Sequence, residues 1–262
     1  MATAARDVTR LTRTPRLVTA LAQQPDEVTE SLALRHRVFV REMGARVENA
    51  DSGLERDAFD THCRHLLVRD TWTGAVVAST RILTDDRIEA TGGFYSAGEF
   101  DLDAVLGLPG RFMEIGRTCV HPDYRRGGVI AVLWSGVSDL IRREGYQHLI
   151  GCASIELDQG LGRAHAIYRY LADNHMGPGS QRVVPRLALP AADAAASPGR
   201  LPPLLKAYIS LGARVGGPPC WDPDFGVADL FMHLDVANLC PRYARHFLHR
   251  QPQPARRMAA IA

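Results

Sequence analysis

The sequence predicts a mixed α/β fold, and three observations lead there. Short apolar runs of strand length alternate with segments of helical period along most of the chain. Arg111 to Val120 reads as a strand that breaks at His121-Pro122, passes a basic Gly-rich turn and enters an apolar helix from Val129 to Leu140. Gln147 to Ile155 is a near-continuous apolar run, the mark of a strand buried on both faces.

Taken in order, residues 1–14 carry Ala, Thr and Arg without a period and are expected to form a mobile basic arm. Arg16 to Leu21 reads as the first strand. Pro25-Asp26 opens a helix with acidic residues in its first turn; Val28, Leu32, Arg35, Val38 and Phe39 fall near one face. Met43 to Asp60 is expected to be a polar loop. His65 to Arg69 and Ala75 to Leu83 form a hairpin about the turn Asp70 to Gly74. Gly92 to Asp101 is a loop or short helix rich in glycine and aromatics. After the strand of Gln147 to Ile155, residues 158–200 read as an insertion with a helix at Arg163 to Leu171 and a mobile, low-complexity loop around Ala191 to Ala196. Prolines start and Gly212 stops a helix over Leu201 to Leu211. Val227 to Val236 is the last long strand. Residues 15–240 are read as one domain, and 241–262 as a basic, proline-broken tail.

Composition bounds the function. The 262 residues are 46% hydrophobic and 23% charged, as in ordinary globular chains. A net charge of +2 gives no whole-molecule attraction to nucleic acid. Lys206 is the only lysine, so basic contacts fall to arginine. Five scattered cysteines (Cys63, Cys119, Cys152, Cys220, Cys240) without a CxxC pair suggest reduced thiols and a cytosolic chain. The first residues have no signal-peptide core, and no run reaches the ~18 apolar residues of a membrane span.

Several motifs then converge. Cys119-Val-His-Pro-Asp-Tyr-Arg-Arg-Gly-Gly128 followed by Leu133-Trp134 resembles the acyl-donor segment of GCN5-related N-acyltransferases (GNAT), and Tyr208-Ile-Ser-Leu-Gly-Ala213 resembles a helix end of that superfamily. Leu34-Arg-His-Arg-Val-Phe-Val40, Glu55-Arg-Asp-Ala-Phe-Asp60, Thr80-Arg-Ile-Leu83 and Glu114-Ile-Gly-Arg117 resemble acyl-homoserine-lactone synthases. Gly92 to Leu102, Gly151-Cys-Ala-Ser154 and Leu201 to Tyr208 are similar instead to the ornithine-lipid N-acyltransferases, a match that runs from about Arg16 to about Tyr243. The resemblance implies a GNAT-like, mostly antiparallel central sheet splayed at strand 4, flanked by helices. It implies transfer of a 3-hydroxyacyl chain from an acyl carrier protein to the α-amino group of ornithine, giving a lyso-ornithine lipid. No bound cofactor and no metal are implied; the donor is a phosphopantetheine thioester, on a carrier protein or on coenzyme A.

Two departures bear on substrates. The superfamily's R-x-x-G-x-G/A turn is here Arg125-Arg-Gly-Gly128 followed by Val129 and Ile130, and the bulky Ile130 would crowd a coenzyme A pyrophosphate. A carrier-borne phosphopantetheine has none. Ala45 stands where the lactone synthases carry an aromatic, which weakens a lactone reading.

The chemistry needs an attacking amine, a held carbonyl and a stabilised oxyanion. A bulge around Gly116 would turn Glu114 and Arg117 to one side of the strand, Glu114 taking the amine proton; the bland alternative is a structural ion pair. Tyr208 would protonate the departing thiolate or simply pack. Glu55, Asp57 and Asp60 crowd three carboxylates into one loop, as an acidic lip for ornithine's amines or as a solvated turn paired with Arg46 and Arg56. Arg35, Arg81 and Arg117 are candidates for the ornithine carboxylate. The match adds Phe39 to the acceptor set, and Cys119, Val120, Arg125, Arg126, Gly127 and Gly128 to the donor set. A strand feeding a Gly-rich turn at a helix N-terminus suits a phosphate. Arg142 and Arg143 would steer an acidic carrier protein or be plain surface. Cys119 reads as core rather than nucleophile. His62, Cys63, His65 and His121 fit no zinc spacing. Phe247, Leu248, Met258 and Ile261 among the tail's arginines would touch an anionic membrane if that tail docks. Two other readings stay open: the same fold acting on another amino acid or on S-adenosylmethionine, and a non-catalytic acyl-carrier or lipid-binding module.

Overall fold

A computed structural model describes residues 16–239 except 49, 126, 127, 194 and 196. The strands are β1 (Leu17–Leu21), β2 (Arg64–Asp70), β3 (Val76–Thr84), β4 (Phe100–Asp101), β5 (Phe112–Val120), β6 (His148–Glu156), β7 (Val184–Pro185), β8 (Arg214–Val215), β9 (Cys220–Asp222) and β10 (Val227–Asp235). The helices are α1 (Pro25–Arg35), α2 (Ile88–Thr91), α3 (Asp103–Leu106), α4 (Val129–Glu144), α5 (Leu161–His175) and α6 (Pro203–Leu211).

The main sheet runs β1-β2-β3-β5-β6-β10-β8, with β9 also on β10. Every pairing in it is antiparallel except β5 with β6. The expected mixed, mostly antiparallel sheet is therefore present. Its splay is visible in the register. The parallel strands pair only at Phe112, Met113 and Glu114 with His148, Leu149 and Ile150. Beyond that, β5 keeps only β3 and β6 keeps only β10. Gly151 stands at the parting point with φ 158°, where a Cβ would lie 2.2 Å from the Ile115 carbonyl oxygen. Only glycine lets the two backbones touch there before they diverge.

α4 carries an apolar face of Leu133, Val137, Leu140 and Ile141 into the main core and packs on β1, β2 and β3. α5 and α6 add Ile167, Leu171, Leu205 and Leu211 to the same core. α1 packs on β3 and β5 and continues as a π-helical stretch, His36–Glu42, which carries Val38 and Phe39 into a smaller core with Cys119. π-turns are rare and concentrate at functional sites.

The chain departs from expectation in two places. Residues 158–200 are not a helix plus a free loop: after α5, β7 pairs with β4, Arg186 N–H reaches Glu99 O at 2.7 Å, and Val183 and Leu189 are buried. The loop Met43–Asp60 is not simply polar and solvated, since Glu55 is buried. The expected N-terminal arm and C-terminal tail, with Phe247, Leu248, Met258 and Ile261, lie outside the described residues. Among the described residues no helix is long and apolar enough to cross a membrane.

Candidate active site

The gap between β5 and β6 opens a cavity of about 480 Å³, walled by residues of both strands, of the π-helical stretch and of α6. A volume of that size suits a small-molecule site. Glu114, Arg117, Cys119, Val120, Arg125, Gly128 and Tyr208, all picked from sequence, line it, as do Phe39 and Arg81. Arg126 and Gly127 lie outside the described residues.

The bulge sits one residue beyond Gly116. Arg117 has φ 50°, and the β3 register slips between Ser79, opposite Cys119, and Arg81, opposite Gly116. A non-glycine residue holds that left-handed conformation at a cost. Its guanidinium supplies the restraint: Nε donates to Glu55 Oε1 and Nη2 to Asp57 Oδ2, each at 3.2 Å, and the group lies over the Tyr95 and Phe225 rings at 4.7 and 4.6 Å. Stacking between two aromatic faces adds cation–π attraction.

Glu55, Asp57 and Asp60 do not form an open acidic lip. They stand behind the cavity wall in a network with three arginines. Arg35, fully buried, donates Nε to Glu55 and reaches Asp60 Oδ1 at 2.5 Å and Oδ2 at 3.2 Å. Arg81 donates to Asp57, and to Asp60 at 3.2 Å. Asp57 and Asp60 also cap the 3₁₀ turn Ala58–Thr61, Asp57 accepting from Phe59 N–H and Asp60 from Asp57 N–H. Burial raises the Asp60 carboxyl but the Arg35 and Arg81 charges outweigh it, holding it down at about 2. Acids matched one for one by fixed guanidinium groups leave little field for an incoming ammonium. Neither Arg46 nor Arg56 is their partner: Arg46 bonds Pro223 O. Arg35 is likewise spent, so Arg81 and Arg117 are the cavity-lining cations of this network.

Glu114 is buried beneath the 3₁₀ turn Tyr95–Gly98. It accepts Tyr95 N–H at 2.7 Å, Ser96 N–H at 2.8 Å and the Ser96 hydroxyl. Burial raises its pKa against those three donors. Tyr208 is buried, edge-on to Trp134 at 5.4 Å, and desolvation raises its phenol. Cys119 is buried beside the Ser79 hydroxyl and burial pushes its thiol up to about 11, which suits a core residue and not a nucleophile. Gly128, at φ 70°, is the residue before α4, and Arg125 beside it is clamped by Glu42 at 2.5 and 2.7 Å.

Sequence reading missed a second acidic group. Glu99, Asp222 and Asp229 all line the cavity, with carboxylate oxygens within 4.8 Å of one another. Asp229 takes a 2.7 Å bond from Ser154 Oγ. Asp222 Oδ1 accepts Asp224 and Phe225 N–H groups of the turn into β10. Glu99 Oε2 is shut off from water and has no hydrogen-bond partner. Burial, then the neighbouring Asp229 charge, lifts Glu99 to about 8; burial lifts Asp229 to about 6. One signal was available: Asp229 interrupts the apolar first part of the last strand, Val227 to Met232.

Comparison with known proteins identifies the family. Residues 34–135 match the acetyltransferase (GNAT) domain family. An L-ornithine N(alpha)-acyltransferase of Brucella abortus (strain 2308) is 32% identical over 260 residues, 92% of this chain and 92% of that protein. One from Rhizobium meliloti (strain 1021) is 34% identical over 254 residues, 90% of this chain and 86% of the relative. The chain belongs to the L-ornithine N(alpha)-acyltransferase family. It is thus an acyltransferase of GNAT-like fold. Among solved structures, an N-acyl amino acid synthase from uncultured soil microbes superposes with a TM-score of 0.52 at 12% identity, covering 86% of this chain and 94% of its own. That similarity concerns the fold. Within this family frame, the cavity at the splay is the place to look for the reaction.

Proposed function

We propose that this chain transfers a 3-hydroxyacyl group from the phosphopantetheine arm of an acyl carrier protein to the α-amino group of L-ornithine, giving a lyso-ornithine lipid, with residues 15–240 acting as one domain. The observation that carries this reading is the splay cavity, which Glu114, Arg117 and Tyr208 line together with Arg125 and Gly128 of the donor turn.

The ornithine nitrogen attacks the thioester carbonyl, a C–N bond forms and the C–S bond breaks. Glu114 has about four lone-pair positions and three donors on them, which leaves one for the amine proton. Main-chain N–H groups on the β5 edge that has lost β6 serve the oxyanion. Tyr208 gives its proton to the departing thiolate; its raised pKa keeps that proton in place until then. Arg81 and Arg117 offer their charge to the acceptor's carboxylate. Gly128 and Arg125 meet the donor phosphate at the N-terminus of α4. Ile130 lines the cavity at this end and favours a carrier-protein donor over coenzyme A.

The test is to incubate purified protein with a 3-hydroxyacyl carrier protein, or the matching coenzyme A thioester, and follow products by mass spectrometry with ornithine, other amino acids and S-adenosylmethionine in turn. Ornithine acylated on its α-nitrogen is the expected product. Consumption of S-adenosylmethionine alone would sink the reading, and acyl-carrier binding without turnover would make the chain a non-catalytic module.

A further inference from the structure

We propose, resting on ornithine as acceptor, that Glu99, Asp222 and Asp229 form a subsite for the acceptor's side-chain ammonium, and that this subsite selects a diamine and directs acylation to its other nitrogen. The three residues come from separate parts of the chain: the end of the Tyr95–Gly98 turn, β9 and β10. They converge on the same cavity as Glu114 and Arg117. A short path links the two groups, since Ser96 Oγ bonds Glu114 and receives the Cys152 thiol at 3.5 Å, while Cys152 also lines the cavity.

What separates this trio from Glu55, Asp57 and Asp60 is the absence of a cation. Among the described residues no arginine, lysine or histidine forms an ion pair with Glu99, Asp222 or Asp229. Arg117, whose charge lowers the Glu99 and Asp229 carboxyls, is already committed to Glu55 and Asp57. Glu99 Oε2 lacks even a neutral donor. Carboxylates gathered in a largely apolar cavity cost folding free energy unless something positive joins them. The fold nevertheless fixes all three: Ser154 orients Asp229, the β9–β10 turn orients Asp222, and the β4–β7 pair with the Arg186 bonds anchors the segment carrying Glu99.

Reactivity decides which ammonium belongs there. The attacking nitrogen must lose its proton, and three carboxylates would hold that proton on. They suit the nitrogen that must stay charged and unreactive. An ammonium group has no acceptor of its own and donates in three directions, matching three carboxylate oxygens.

The test compares wild type, Glu99→Gln and Asp229→Asn with a 3-hydroxyacyl thioester and either ornithine or norvaline, the same skeleton without the side-chain amine. Wild type is expected to favour ornithine by ~10²-fold or more in kcat/KM, since a site built for a polar group rejects the analogue lacking it. Each variant should raise the ornithine KM by ~10-fold or more, change kcat less, and shrink the ornithine-to-norvaline ratio. Tm is expected to hold or rise in both variants, because each removes one ionisable acid from a crowded cluster that has no cation partner. Ornithine without donor should raise the wild-type Tm and fail to raise that of Asp229→Asn. Folded variants with the wild-type ornithine KM overturn the subsite, as does a Tm shift driven by calcium or magnesium, and not by ornithine, that both variants lose. Wild type that spares ornithine yet acylates another diamine with a KM sensitive to both variants overturns the ornithine assignment and keeps the subsite. Wild type that acylates no diamine overturns both.

Discussion

Arg35 has no exposed surface, and its fork is wholly taken up by Glu55 and Asp60. Removing one member of such a buried pair strands the others. Arg35→Met is expected to cost ~3–5 kcal/mol in denaturant unfolding, and Arg35→Lys to recover little, because the compact ammonium on its flexible stem does not reproduce the rigid planar fork that Glu55 and Asp60 are placed to meet. Cys119 is the opposite case. With its thiol pushed up to about 11, it holds almost no thiolate at neutral pH. Cys119→Ala should keep turnover within about threefold, as direct attack by the amine requires; loss of activity together with a trapped acyl-enzyme in the parent would reverse this. Glu114 carries the sharper question. Glu114→Gln is expected to lower kcat/KM by ~10²-fold and to erase the acidic limb of its pH profile. A variant that keeps that limb and only melts earlier would mark Glu114 as an anchor for the Tyr95–Gly98 turn. At this scale residue types were legible, and pairings were not. Three acids in six positions suggested a ligand for amines, yet the arginines that neutralise them come from α1, β3 and β5. Nothing local announces such long-range pairing. Glu99 and Asp229 are far apart in sequence for the same reason.

The elements that build the site are a π-turn, a bulge, a splay and a Gly-rich corner. Sequence patterning located the long strands and helices to within a few residues, because each buries a periodic apolar face. It missed β4, β7, β8 and β9, which are two or three residues long and too short to show any period. It placed a bulge around Gly116, where the register does slip, but not the residue that takes the left-handed conformation, which is Arg117, held there through side-chain bonds. The donor corner yields a prediction of its own. Arg125 is half-exposed and clamped by Glu42, whose pKa is lowered first by that bond. A phosphate arriving at the corner must compete with Glu42 for the same guanidinium. An exposed pair of this kind is worth ~0.2–1 kcal/mol. Glu42→Gln should therefore lower the KM for the thioester donor by roughly two- to fivefold, with the acceptor KM little changed; an unchanged or raised donor KM would show that Arg125 does not meet the phosphate. Gly151 bears on the same geometry, since any side chain there would force β6 away from Ile115 and reshape the cavity.

Over the whole molecule the two acidic groups pull stability in opposite directions with pH. Asp60, held near 2, contributes stability above the ordinary carboxylate range and loses it only in strong acid. His65, His121, His175 and His233 are held below their ordinary value, so the folded state resists their protonation and gains stability as pH rises towards about 6.5. From about pH 7.5 upward these groups are neutral in both states. Glu99, lifted to about 8, then governs the slope, with Glu114 acting in the same sense. Because the fold raises these carboxyls, the native state holds more protons than the unfolded chain, and stability falls as pH climbs from about 7.5 to about 9. The limit is about 1.4 kcal/mol per pH unit for each proton held in excess. The charged groups that act on Glu99, in the order Asp229, Asp222 and Arg117, do not change this sign: both aspartates push its carboxyl further up, the arginine keeps its proton throughout, and Asp229, lifted to about 6, has mostly lost its own by then. The ligand-free protein should accordingly melt at a lower temperature at pH 9 than at pH 7.5, and Glu99→Gln should flatten that slope. Ornithine should reverse it, because its ammonium stabilises the ionised carboxylates; the Tm gain from a fixed ornithine concentration is then larger at pH 9 than at pH 7.5. A gain that is equal at the two pH values, in a protein whose apo Tm does slope, would mean that ornithine binds away from Glu99.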